Sequence, residues 1–315
     1  MGLTREQLFR TLNVINDGPD LEAITKKAMV DYEQERWKNG EYHVQTSFYA
    51  SQFPGDEKSC QRKLLYGLMN IPNTDPMPPK LRGQTKMGNA AEEYIVSRLV
   101  AAKKTLHIML DEDLQNKFED PDTWLSGATD LILDLREEGY NAILPVDIKS
   151  KDHEVIQHMR IGVRNYDEKH YYQVQAYIYM CRKFHNRFWK SEGLKPANAG
   201  ILYYVSRQDP TFVKQFYFPY DPIAVDRAIA TMKETKEAFL NDELPERPKE
   251  WKWTEEPCKW CPFKREACKK DWKAGVKKIS ESNGIEFAKH VNSSYDYDEI
   301  KLKVEERWNS KNPKQ

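Results

Sequence analysis

The sequence lacks any apolar run approaching the roughly 20 residues that a membrane-spanning helix needs, and 31% of its 315 residues are charged. Both argue against a helical membrane protein and for a soluble one. It also lacks an excess of charge of either sign. Lys+Arg and Asp+Glu each number 49, so overall charge offers no argument for a polyanionic partner. No Gly-rich loop opens a helix after a strand, which argues against a nucleotide-binding P-loop. Five cysteines, an odd number, do not make a disulfide framework. The opening residues Met1-Gly2-Leu3-Thr4-Arg5-Glu6 lead into an amphipathic pattern and not into the apolar segment of a secretory signal, so the expected location is the cytoplasm. There is no internal repeat and no low-complexity segment.

The periodicity predicts a helix over 4–38, with Leu8, Leu12 and Ile15 on one face, and a short helix over Lys58–Met69 carrying Cys60. A Pro-rich connection (Asn70–Pro79) precedes a helix over Gln84–Ala102. Strands are expected at Thr105–Met109, Trp124–Leu135 and Ala142–Lys149, the last two joined by a hairpin turn through Gly139, with Pro145 marking a bulge or an unpaired edge. A long helix over Lys169–Phe188, strands over Ala199–Ser206 and Phe212–Phe218, and a helix over Pro222–Leu240 complete the core. This order implies an α/β (mixed α+β) fold with a central mixed sheet flanked by helices. The expected division is a helical N-terminal region (1–79), a core (80–240), a linker and Cys-rich segment (241–278) and a polar, helical or frayed tail (279–315).

The chemistry concentrates at Asp147-Ile148-Lys149. Alternation puts Asp147 and Lys149 on one face of a strand, while Leu144, Val146 and Ile148 face a core. An acid and a lysine at the end of an apolar strand are costly to desolvate alone; a divalent metal and a phosphate would satisfy both. Asp130 lies seventeen residues earlier, on the neighbouring strand of the hairpin. Glu92 shares a helical face with Ile95, Val96 and Leu99, although spacing alone leaves Glu93 an equal candidate for the inward acid. Gln173 and Tyr177, four residues apart on one helix, can bond a phosphate or hold the lysine. Cys181 on the same stripe reads as a small core hydrophobe. A metal held by Glu92, Asp130 and Asp147 would be magnesium or manganese on the chemistry of oxygen ligands, with Lys149 stabilising developing negative charge. The bland reading is an ordinary surface Asp-x-Lys pair.

Cys258-x-x-Cys261 with Cys268 places three thiols in one short segment, and Cys60 could supply a fourth. Only one Cys-x-x-Cys knuckle is present, where a zinc ribbon pairs two. Eight Lys/Arg from Lys259 to Lys278, interleaved with Trp260, Phe263 and Trp272, form a local basic region that could follow a nucleic-acid backbone or simply be a solvated face.

Gly88-Asn-Ala-Ala-Glu92-Glu93, Gly127-Ala-Thr-Asp130, Asp147-Ile-Lys149 and Gln173-Val-Gln-Ala-Tyr177, in that order, resemble the RecB-like branch of the PD-(D/E)xK nucleases over roughly 58–270. The resemblance implies a restriction-endonuclease-like core and Mg²⁺- or Mn²⁺-dependent cleavage of DNA, as an exonuclease on single strands or ends. Many members carry His where this chain has Glu92, so a manganese preference does not carry over. The remote cysteine plus C-terminal triplet is similar to the iron–sulfur nucleases, among them the fourth CRISPR-associated nuclease family and the AddB nuclease domain. That implies a structural [4Fe–4S] cluster on Cys60, Cys258, Cys261 and Cys268. The gap between Cys261 and Cys268 is six residues, one more than usual in those proteins. Implied partners are DNA, no membrane, and a possible homo-oligomer or recombination or adaptation proteins. Phage recombination, repair and CRISPR adaptation are all open settings. A non-catalytic iron–sulfur DNA-binding scaffold and a zinc-containing interaction module are the alternatives.

Overall fold

The computed structural model describes residues 44–311 apart from 57–58, 73–78, 103, 106–115, 256 and 260, with the side chains of 79–87 and 116 also left out. The helix expected over 4–38 lies outside the described residues, as does the strand expected over Thr105–Met109 except for Thr105, which bridges to Leu133.

The described chain begins with a two-residue strand, β1 (Phe48–Tyr49), and a single 3₁₀ turn over Ala50–Gln52. Helix α1 (Gln61–Leu68) starts at Cys60 and buries Leu64, Leu65 and Leu68. Helix α2 (Pro79–Ala101) precedes four strands, β2 (Asn116–Asp120), β3 (Leu125–Thr129), β4 (Leu131–Leu135) and β5 (Tyr140–Lys151). Helices α3 (His153–Arg160) and α4 (Glu168–Lys183) carry the chain across to β6 (Ala199–Ser206). Strand β7 (Val213–Pro219) and helix α5 (Pro222–Leu240) follow. Asp221 caps α5 by accepting from the Ala224 amide at 3.0 Å, and Pro222 occupies the first turn, where no donor is missed. Two further helices, α6 (Asn283–Val291) and α7 (Tyr297–Asn309), end the described chain.

The strands form two mixed sheets, ordered β1-β3-β2 and β4-β5-β6-β7. The α/β expectation holds, with the single central sheet replaced by two. β5 and β6 run parallel, which requires a crossover, and α3 with α4 supplies it. The segment expected as one strand over Trp124–Leu135 is two. β3 ends at Thr129 in the first sheet, β4 begins at Leu131 in the second, and Asp130 is the bend between them. Asp130 therefore stands just before β4 and not within the strand expected to carry it. The long helix expected over Lys169–Phe188 ends at Lys183; Phe184 breaks it before a separate turn over His185–Phe188.

Pro145 pairs with Ile132 of β4. The Ile143 amide donates away from β4, to the Lys195 carbonyl at 3.1 Å; by alternation the Pro145 nitrogen faces the same way. The ladder to β6 starts only at Val146, so the absent N–H leaves no bond unmade on that edge. The register shift lies at the hairpin end instead, between Leu133 and Leu135.

The main core joins Phe48, Leu65, Ile132, Ile143, Tyr177 and Trp308, so α7 is packed into it and not frayed. A smaller cluster of Leu131, Val146, Ile148 and Val205 sits under Ile95, Val96 and Leu99 of α2. Gly88 lets α2 approach β5: a Cβ there would stand 2.5 Å from Ser150 Oγ. Among the described residues no helix is long and apolar enough to cross a membrane.

Candidate active site

The bend at Asp130 brings a carboxylate from one strand end onto the backbone of another. Its Oδ2 accepts from the Ile148 amide at 2.6 Å. The neighbouring Thr129 hydroxyl, fully buried, donates to the Val146 carbonyl at 2.9 Å. Together these bonds tie the end of β3 to the middle of β5. On β5, Val146 and Ile148 turn to the small cluster beneath α2, so the alternating positions Asp147 and Lys149 share the opposite face. Lys149 Nζ donates to Asp147 Oδ1 at 2.8 Å. On α2, four residues past Gly88, Glu92 is half-buried and feels the charges of Asp130 and Lys149; Glu93 beside it is exposed.

Three carboxylates and one ammonium in a buried place leave an excess of negative charge. Burial pushes Asp147 up to about 7, with the Lys149 ammonium opposing and Asp130 and Glu92 adding to the rise. Burial, then Asp130, pushes Glu92 up to about 7 against the pull of Lys149. Burial raises Asp130 as well. Burial alone would depress Lys149, but Asp147, Asp130 and Glu92 override it and hold the ammonium charged. Asp147 is 1% exposed, and its Oδ2 has no hydrogen-bond partner among the described residues. A buried, unpartnered carboxylate oxygen is costly, and it is the natural seat for a cation.

On α4, Gln173 Nε2 donates to Tyr177 Oη at 2.8 Å. That leaves the Tyr177 hydroxyl proton free to point elsewhere. Burial holds this phenol far above its ordinary range, and the charges of Asp147, Asp130 and Glu92 add to the effect. Among the described residues neither hydrogen-bonds Lys149; Tyr177 senses the acids through their charge, and Gln173 reaches them only through Tyr177. Cys181 is fully buried in the core.

One group beside the site was not singled out from the sequence. Lys151 continues the Asp147–Lys149 face and pairs with Asp167 at 2.5 Å, and His170 Nδ1 lies 2.9 Å from Tyr204 Oη. Burial and the charges of Lys149, Lys151 and Lys169 push His170 down to about 3, so it stays neutral. The Lys-x-Lys spacing on the strand was the available signal.

The four cysteines line one pocket with Trp253 and Pro257. Cys60 feels the charges of Cys261 and Cys258, and Cys268 those of Cys60 and Cys261. Burial pushes Cys60 up to about 11 and Cys268 up to about 12. All five cysteines are free thiols. Cys268 ends a π-helical turn over Lys264–Cys268, its amide bonding the Phe263 carbonyl at 2.9 Å. The supposed linker of 241–257 is anchored there: Leu244 and Arg247 are 4% and 5% exposed. Trp260 lies outside the described residues. Among the described residues no three His, Cys, Asp or Glu side chains stand close enough to grip a single ion without adjustment. A larger cleft of about 460 Å³, lined by Gln52, Phe53, Lys63, Lys169 and Tyr172, meets the cysteine pocket at Cys60.

The three acids come from strand β5, the bend before β4 and helix α2, and they gather around Lys149 of the same mixed sheet. Residues 48–269 match the PD-(D/E)XK nuclease superfamily, and the chain belongs to it. No curated protein matches it. Among solved structures it is similar to SSO0001, at 15% identity and a TM-score of 0.36 over 75% of this chain and 94% of that one. It is also similar to LHK-Exo in complex with dAMP, at 8% identity and a TM-score of 0.40. LHK-Exo is an alkaline exonuclease from Laribacter hongkongensis, whose other structure gives 9% and 0.37; each covers 64% of this chain and 91% of that one. None of these likenesses is close enough to carry a function across.

Proposed function

We propose that this chain is a divalent-metal-dependent deoxyribonuclease, an exonuclease acting on single-stranded DNA or DNA ends, of the RecB-like iron–sulfur branch. The observation that carries the catalytic reading is the unpartnered Asp147 Oδ2, buried among Asp130, Glu92 and Lys149. The donor set suits Mg²⁺ or Mn²⁺: three carboxylates whose mutual repulsion a divalent cation would relieve. Glu92, Asp130 and Asp147 would hold that ion by modest side-chain rotation; once bound, it supplies charge to phosphate oxygens and acidifies water.

The remaining work falls to the chain's own groups. Asp147 fixes the Lys149 ammonium at the rim of the site, where it faces negative charge building on the phosphate. The Ile148 amide fixes Asp130. Gln173 orients Tyr177, whose proton remains available to a phosphate oxygen. The cleft between Phe53 and Tyr172 has Lys63 and Lys169 but also Asp56 and Glu168 on its walls; its aromatic rings suit a single strand by stacking.

In the same reading Cys60, Cys258, Cys261 and Cys268 hold a structural [4Fe–4S] cluster that joins the N-terminal region (1–79) to the segment 241–278, around a nuclease core of 80–240. Four thiols around one pocket, none of them in a disulfide, supply the donor chemistry. The π-helical turn ending at Cys268 absorbs one extra residue in a helical turn, which accommodates the longer gap after Cys261.

The test is degradation of end-labelled single-stranded DNA, with 5′- or 3′-blocked ends, in Mg²⁺ and in Mn²⁺. Wild type should degrade it, and Lys149→Ala should lose roughly 10²–10³-fold or more in rate. Metal-independent binding without cleavage would instead identify a scaffold.

A further inference from the structure

The thiol pocket is flanked by two arginines that catalysis does not use. Arg62 on α1 and Arg247 in the 241–257 segment are 4% and 5% exposed. Among the described residues, neither hydrogen-bonds a carboxylate. Arg62 Nε donates to the Pro245 carbonyl, and its guanidinium also lies against Cys268. Arg247 donates to the Pro248 carbonyl at 3.1 Å, to the Trp251 carbonyl, and to Cys258 Sγ at 3.7 Å. It also stacks on Trp253, 4.1 Å from the ring centre. Even so, Arg62 Nη1 and Arg247 Nε are buried with no partner among the described residues. The charged residues described in the pocket wall, beside Arg247, are Lys63 and Lys264.

A buried guanidinium without a counter-ion is strongly unfavourable. Here two of them, with two lysines, surround four sulfurs. Four thiolates on a [4Fe–4S]²⁺ core leave a net negative charge, and that charge is a counter-ion that the direct bonds of the arginines among the described residues do not supply. We propose that Arg62 and Arg247 are positioning residues of the four-cysteine centre, each setting a permanent positive charge against one sulfur ligand so that together they compensate the cluster's charge. This rests on the iron–sulfur reading above. The two residues act through Cys268 and Cys258 respectively, one from helix α1 and the other from the 241–257 segment. A nearby positive charge favours the reduced cluster, so removing it makes reduction harder.

The test uses the full chain purified anaerobically. Iron and acid-labile sulfide are counted, the visible spectrum is recorded, and the reduction midpoint is found by dithionite titration. Arg62→Gln and Arg247→Gln should each shift the equilibrium about tenfold towards the oxidised cluster, which is about 59 mV for one electron, and should bleach faster in a chelator. Arg62→Lys and Arg247→Lys should restore most of the potential. Gln variants with wild-type iron content and potential overturn the inference while leaving the cluster reading intact. If a Gln variant fails to fold or to load, its Lys counterpart decides. A loaded Lys variant with near wild-type potential supports charge compensation, and an equally empty one overturns it. Iron-free wild type sinks the cluster reading itself, and the inference with it.

Discussion

The Ile148 amide and the Asp130 carboxylate are joined by a 2.6 Å hydrogen bond across the point where the chain leaves one sheet for the other. Ile148 sits between Asp147 and Lys149, so this one bond sets the second acid against the strand that carries the first acid and the lysine. The carboxylates are thus held near one another before any cation arrives, and the protein carries the cost of that repulsion.

That cost gives a pH prediction. In the unfolded chain Glu92 and Asp147 titrate near 4.5 and 3.8, and in the fold both are raised to about 7. Between these values the folded state holds more protons, so stability falls as pH rises. The stabilising contribution is fully present below about pH 4 and is lost as pH passes through about 7. A divalent ion should reverse the loss, so Mg²⁺ should raise the melting temperature more at about pH 8 than at about pH 5.5. Calorimetry with and without Mg²⁺ checks this; equal increments at both pH values would count against a metal seat on these acids.

Tyr177→Phe removes the hydroxyl that accepts from Gln173 but keeps the ring in the core. The expected outcome is a rate lower by about tenfold, the worth of one hydrogen bond, with single-strand binding within about twofold. A wild-type rate would reduce Tyr177 to a packing residue. Comparing single-turnover rates with strand affinity separates the two.

Gly127→Ala probes the wall behind that tyrosine. A Cβ at Gly127 would lie 2.8 Å from Ala50 Cβ and 2.9 Å from Met180 Cε. Met180 can swing aside, whereas Ala50 is held in a 3₁₀ turn. Overpacking of this kind costs about 1–3 kcal/mol, to be read from denaturant unfolding.

How far the sequence disclosed these features depended on where the information was stored. β6 and α5 were legible to the residue, because Ala199–Ser206 is bounded by turn residues and Asp221-Pro222 is a local helix start. The order of Glu92, Asp130, Asp147 and Lys149 was legible as a pattern, and choosing Glu92 over Glu93 took the packing of α2 on β5. The split at Asp130 was not legible: the residues on both sides of it form strands, and only tertiary pairing sends those strands to different sheets. β2 went unseen because Asn116–Asp120 has one apolar residue, Phe118, and is a strand by virtue of pairing with β3. The tail was expected to be polar and helical or frayed; it is helical, and what went unseen is its buried stripe of Tyr297, Ile300, Val304 and Trp308, narrow beneath a charged surface.

That stripe yields the next expectation. Trp308 is 2% exposed, stacks on Trp124 with ring centres 6.4 Å apart, and donates from its indole to the Thr46 carbonyl at 2.7 Å. Trp308→Ala should cost about 3–5 kcal/mol, visible as a large drop in the unfolding midpoint. A change under about 1 kcal/mol would mean that α7 is a dispensable appendage.

The same helix has a kinetic corollary. Trp308 reaches back 262 positions to Thr46, Tyr295 reaches 226 to Met69, and the buried Asp271 reaches 205 to Tyr66. Contacts that close such long loops are slow to form. During folding the sheets can form while this seam is still open, exposing apolar surface to aggregation until α7 docks. The fold should therefore be slow to assemble.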